Sequence, residues 1–129
     1  MTEHPNAATA RRSFEAWTSG RLDVLGEYIT DDAVLHFAGN NAMSGTYRGR
    51  DAVMGALGRA SQGLDPRGGL EAVLASDDHV MAFFHSTAER DGKTLDVVVA
   101  QAVKVNAEGK ATEAWFLPND QGGYDRFFL

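Results

Sequence analysis

The chain has 129 residues, of which 43% are hydrophobic, and 12 Lys and Arg stand against 18 Asp and Glu, a net charge of −6. One domain spanning 1–129 is the expectation at this length, the negative charge argues against nucleic acid or an anionic membrane as partner, and the absence of cysteine excludes disulfides, thiol catalysis and cysteine-built zinc sites. Residues 1–5 show no basic region with an apolar stretch behind it, and no run approaches the ~18 apolar residues of a membrane span, so a cytoplasmic chain is expected. Asn6 is placed to cap a first helix, whose apolar stripe Ala7, Ala10, Phe14 and Trp17 recurs at i, i+3, i+7 and i+10, with Gly20 as terminator. A second short helix sets Leu22, Leu25, Tyr28 and Ile29 on one side and ends at residues 30–32. Residues 33–37 read as a strand, 39–41 as a loop and 46–48 as another short strand. Asp51 then caps a third helix with Val53, Met54, Leu57 and Ala60 inward. Residues 63–69 form a loop rich in breakers. Strand-like segments follow at 70–75, 79–90, 94–105 and 110–117, and Asp91-Gly92 is the strongest hairpin signal in the chain. Pro118 stops the last of them, and Asp120 is placed to cap a final helical turn toward Phe127.

Helices first and a meander second indicate an α+β fold, with helices on one face of a curved, mainly antiparallel sheet. Alternation over 94–105 puts Leu95, Val97, Val99, Gln101, Val103 and Val105 on one face and Asp96, Val98, Ala100, Ala102 and Lys104 on the other. The first face is apolar except for Gln101. Val98, Ala100 and Ala102 are less polar than water-facing strands usually are, and a second subunit is the simplest cover, so a homodimer is expected. Phe14, Phe37, Met54, Val99 and Phe116 are expected to line an interior pocket with Gln101 inside it.

The order of elements, with the strings Tyr28-Ile29-Thr30-Asp31-Asp32-Ala33-Val34, Gly45-Thr46-Tyr47-Arg48-Gly49-Arg50-Asp51-Ala52-Val53, Glu89-Arg90-Asp91-Gly92-Lys93 and Glu113-Ala114-Trp115-Phe116-Leu117-Pro118-Asn119-Asp120, resembles the nuclear transport factor 2-like superfamily and, within it, the SnoaL-like, ketosteroid-isomerase-related proteins. The resemblance covers nearly the whole chain. It implies a cone in which a strongly bent sheet wraps around three N-terminal helices and leaves a pocket, with dimerisation through the outer sheet face. It also implies a range of activities, from cofactor-free isomerases, polyketide cyclases and epoxide hydrolases to non-catalytic binders and interaction modules, so the fold does not select one.

Carried across residue by residue, the resemblance puts the isomerase general base at Phe37, its oxyanion tyrosine at Ser13 and its protonated aspartate at Gln101. None of the three is retained. The epoxide-hydrolase carboxylate falls at Leu117, with Val99 and Gln101 where an Arg and an Asp belong. The SnoaL-type acid/base falls at Asp120, whose alternative is the helix cap. His36 is the second candidate for proton transfer, although alternation with Leu35 and Phe37 turns it away from the cone. Gln101 either finds partners among its neighbours or orients a ligand. Tyr47 and His85 are further orienting candidates, His85 alternatively facing a dimer partner, while His4 and His79 look peripheral. No His-Glu-x-x-His and no two-His-one-carboxylate spacing occurs, so no metal and no other cofactor is expected. The expected ligand is a small apolar, ring-containing or polyketide-like metabolite.

Overall fold

Pro5 opens helix α1 (Pro5–Thr18), where its fixed φ suits the first helical position. The cap is His4, whose ring nitrogen accepts from the Asn6 backbone N–H, rather than the expected Asn6. Asn6 instead donates through its side-chain amide to the carbonyls of Ser76 and Asp77 at 2.9 and 3.1 Å, tying the helix to a distant turn. The computed structural model describes residues 3–63 and 69–128, with backbone alone for 61–63, so most of the breaker-rich loop at 63–69 lies outside the described residues.

Helix α2 (Leu22–Gly26) is followed by β1 (Ile29–Phe37) and β2 (Gly45–Arg48), then by α3 (Arg50–Gly63), β3 (Leu70–Ala75), β4 (His79–Arg90), β5 (Lys93–Val105), β6 (Ala111–Pro118) and α4 (Gln121–Phe127). The strands form one sheet in the order β2-β1-β6-β5-β4-β3. Four pairings are antiparallel, and β1 with β6 is parallel. This parallel closure has no local sequence signal, and β1 starts at Ile29 rather than at the expected residue 33. Residues 30–32 do not end a helix but form a bulge, across which the register slips between Ile29 and Val34. Arg50 holds the bulge by donating twice to the Ile29 carbonyl, at 3.1 and 2.8 Å, and by pairing with Asp31 at 2.7 Å. The β4–β5 hairpin turns through Asp91 and Gly92 at φ of 52° and 76°, the left-handed pair that an Asp-Gly turn supplies cheaply.

The helices cover one face of the sheet, and the core lies between them. Phe84 sits at its centre, with ring centroids of Phe14, Trp17 and Phe116 at 5.2, 5.7 and 6.2 Å, while Phe37 stacks on Phe116 at 4.7 Å. The Trp17 indole donates to the Leu57 carbonyl at 3.0 Å, which fixes α1 against α3. Helix α4 closes this end of the cone with buried Tyr124, Phe127 and Phe128. Burial pushes the Tyr124 phenol up to about 12, so it stays protonated. The β1–β2 loop is latched onto α4 by Asn41, which donates to Asp125 at 2.6 Å, and by Gln121 of α4, which donates to the Ala38 carbonyl at 3.4 Å and, within the helix, to Asp125 at 2.9 Å. Gly39 makes the latch possible: a Cβ there would stand 2.1 Å from the Gln121 amide nitrogen.

Candidate functional site

Strand register explains where the interior is full and where it is open. One inward row across the sheet runs Gly45, Phe37, Phe116, Gln101, Ala82 and Val73. The next runs Tyr47, Leu35, Ala114, Val103, Val80 and Ala75. Moving from the first row to the second, Phe116 gives way to Ala114 and Phe37 to Leu35. Along β4, Phe84 gives way to Ala82. The loss of aromatic volume leaves a cavity of about 90 Å³ under α1, bounded by Ala10, Phe14, Leu57, Ala82, Gln101 and Val103, with Asn6, Thr9, Ser13 and Tyr28 around it.

The expected pocket residues divide accordingly. Phe14 and Gln101 border the cavity. Phe37, Val99 and Phe116 do not; they are buried in the packed end, because the rings of Phe37 and Phe116 stack against each other and fill the space. Met54 lies at a separate surface depression with Leu22 and Lys110. The Tyr47 hydroxyl is spent on the Met43 carbonyl at 2.8 Å.

The two acid/base candidates are also placed elsewhere. Asp120 is the exposed N-cap of α4, accepting from the Gly123 N–H at 2.9 Å, and it lies outside the lining of the cavity. His36 faces the outer side of the sheet. Its ring stacks on Trp115 with centroids 5.3 Å apart, and its nitrogens meet Glu113 at 2.7 Å and Thr46 at 3.0 Å. His85 is on the same outer side and bonds to Asp96, which raises its affinity for a proton. Among the described residues no group of three or more His, Asp or Glu is arranged to hold a metal ion.

Among the described residues, the Gln101 amide inside the cavity has no hydrogen-bonding partner, and neither does the Tyr28 hydroxyl. Both remain open to space, in contrast to the Ser86 hydroxyl, which is wholly buried on the inner face of β4 and unpaired. Tyr28 falls on the apolar stripe expected of the second helix, whereas α2 ends two residues earlier and Tyr28 leads into β1. The signal for the open end was the run of small inward residues, Ala82, Ala114 and Ala33, beside larger ones.

The outer face is continuous. One row runs Leu74, Met81, Ala102, Trp115, His36 and Thr46, and the next runs Ala72, Phe83, Ala100 and Leu117. Leu74 is 63% exposed and Leu117 43%. Lys104 and Glu113 bound this apolar block on one side, His85 and Asp96 on the other. No described helix is long and apolar enough to cross a membrane.

Known proteins place this geometry. The model of the SnoaL-like domain family matches residues 10–114. An uncharacterized protein of Mycobacterium tuberculosis, Rv0034, is 34% identical over 115 residues, 87% of each chain. Among solved structures, Bal32a from a soil-derived mobile gene cassette is 30% identical with a TM-score of 0.87, covering 96% of both chains. An NTF2-like protein from Burkholderia xenovorans LB400 shares the fold, with a TM-score of 0.81 at 19% identity over 100% of this chain and 99% of that one. The chain therefore belongs to the SnoaL-like domain family.

Proposed function

We propose that this protein binds a small, largely apolar molecule in the cavity under α1 and that it does so without acid–base catalysis. The observation that carries the reading is the Gln101 amide, unpartnered among the described residues, at the edge of a largely apolar cavity. Ligand sites combine an apolar lining with a few orienting polar groups. A cofactor-free isomerase, cyclase or hydrolase would need a group that moves a proton at the substrate. Among the described residues Glu113 is the one carboxylate on the lining, and its side chain is engaged by His36 on the other face of the sheet. The test is thermal unfolding with added apolar ring compounds. Binding to the folded state raises the melting temperature by mass action, and a panel that leaves it unmoved rejects the reading.

The functional form in this proposal is a homodimer built on the outer sheet face. Its support is the apolar block from β3 to β6 with ionisable groups only at its borders. Such a patch is self-complementary under two-fold symmetry, and an interface on it buries on the order of 2,000 Å². Sedimentation at micromolar concentration should give a dimer, and Phe83→Asp should give a monomer; a wild-type species of 13.9 kDa contradicts the proposal.

A further inference from the structure

The polar groups around the cavity divide into those the fold has used and those it has not. Asn6 is committed to the carbonyls of Ser76 and Asp77. The Ser13 hydroxyl donates to the Ala10 carbonyl at 3.0 Å, and the Thr9 hydroxyl accepts from Arg12 at 3.2 Å. Glu113 bonds His36 and has Lys104 at 3.9 Å. The Gln101 amide and the Tyr28 hydroxyl are left over. An amide offers both N–H donors and a carbonyl acceptor, and a phenol offers one of each, so either group satisfies an uncharged oxygen function equally well as carbonyl or as hydroxyl.

Charge is disfavoured in either sign. Among the described residues no Lys or Arg lines the cavity, so a bound anion has no counter-ion there. A cation finds one carboxylate, Glu113, already held by His36 and Lys104. Size narrows the choice further. The cavity of about 90 Å³ is smaller than the ~150 Å³ of an apolar cavity that admits benzene. A single ring that presses the lining apart slightly is within reach, and a fused polycyclic skeleton is not.

We infer that the cavity takes a neutral, single-ring molecule bearing a carbonyl or hydroxyl oxygen, which the Gln101 amide receives with the Tyr28 hydroxyl as the second polar group; this rests on the reading of the cavity as a ligand site. The deciding experiment is calorimetric titration of one ring in four forms, cyclohexane, cyclohexanone, cyclohexanecarboxylate and cyclohexylammonium. The proteins are the full chain, Gln101→Leu and Tyr28→Phe. Cyclohexanone should bind the unaltered chain about tenfold more tightly than cyclohexane, the worth of one made hydrogen bond, and the two charged forms should give no measurable heat of binding. Gln101→Leu should erase the advantage of the ketone while keeping the affinity for cyclohexane, which also shows that the variant is folded. Tyr28→Phe should reduce the advantage in part. Equal affinity for ketone and hydrocarbon, or a carboxylate that binds as well as the ketone, overturns the inference and leaves the ligand site standing. No binding by any of the four removes the ligand site itself.

Discussion

The two ends of the cone are built on the same strands and differ in side-chain volume. At the end closed by α4, most inward positions of the central strands carry a large or branched group, and Phe84, Val97 and Val99 are almost completely buried. Two residues further along the same strands, Ala82, Gln101 and Ala114 stand where Phe84, Val99 and Phe116 stood, and the interior opens. The strand register also slips at the open end, between Ile29 and Val34 and between Lys104 and Val105. The difference teaches that loss of side-chain volume opens the interior, and that Gln101 lies on the boundary between full and empty.

That comparison is sharpened first by truncation. Phe84→Ala should cost about 3–5 kcal/mol in denaturant unfolding, because the ring touches three other aromatic groups and nothing collapses into its place. Enlargement separates the ends in the opposite sense. Ala16→Leu in the packed core should cost about 1–3 kcal/mol by overpacking. Ala114→Leu at the cavity should change stability by less than ~1.5 kcal/mol, a tolerated change when space exists, and should abolish binding of ring compounds. Equal costs for the two enlargements would mean that the two ends are packed alike.

Smaller effects test the polar groups. Asp120→Ala should lose about 1 kcal/mol of stability as a lost helix cap, with ligand affinity unchanged. Ser86→Ala should leave stability unchanged or raise it by up to about 1 kcal/mol, because a buried hydroxyl without a partner is removed from a filled region. The latch at Asp125 gives a pH signature. Hydrogen bonds from Asn41, and then from Gln121, hold its carboxyl below the ordinary 3.8. Its contribution is therefore complete above that value and is lost as pH falls through the lower folded one. His85 has the opposite sign. Its bond to Asp96 raises it above 6.5, so its contribution is complete below 6.5 and is lost as pH rises through the higher folded value. Urea midpoints measured across pH should show the acid step weakened in Asp125→Asn and the neutral step weakened in His85→Gln.

Much of the fold was legible in the chain. Breakers and alternation located β3 to β6, and Asp91-Gly92 named the hairpin between β4 and β5. The start of β1 was not legible, because its bulge places exposed Asp31 and Asp32 inside a strand and depends on Arg50, a residue from another element. The pairing of β1 with β6 is also long-range, and no local pattern announces it. Of the candidate site, Gln101 stood out as the polar break in an apolar face. The alternation that marked Phe37, Val99 and Phe116 as inward was sound, but inward-facing is not cavity-facing: whether a ring lines space or fills it depends on what lies opposite. His36 and His85 show the same limit, since each acquires its partner, Glu113 and Asp96, from a neighbouring strand.

The central claim is that the space beside Gln101 receives a ligand, and a crystal structure with cyclohexanone tests it most directly. The account predicts density for one ring between Ala82, Val103 and Ala114, with its oxygen within hydrogen-bonding distance of the Gln101 amide. A cavity filled by rearranged side chains or by water alone, with the ketone absent or bound elsewhere, would contradict it.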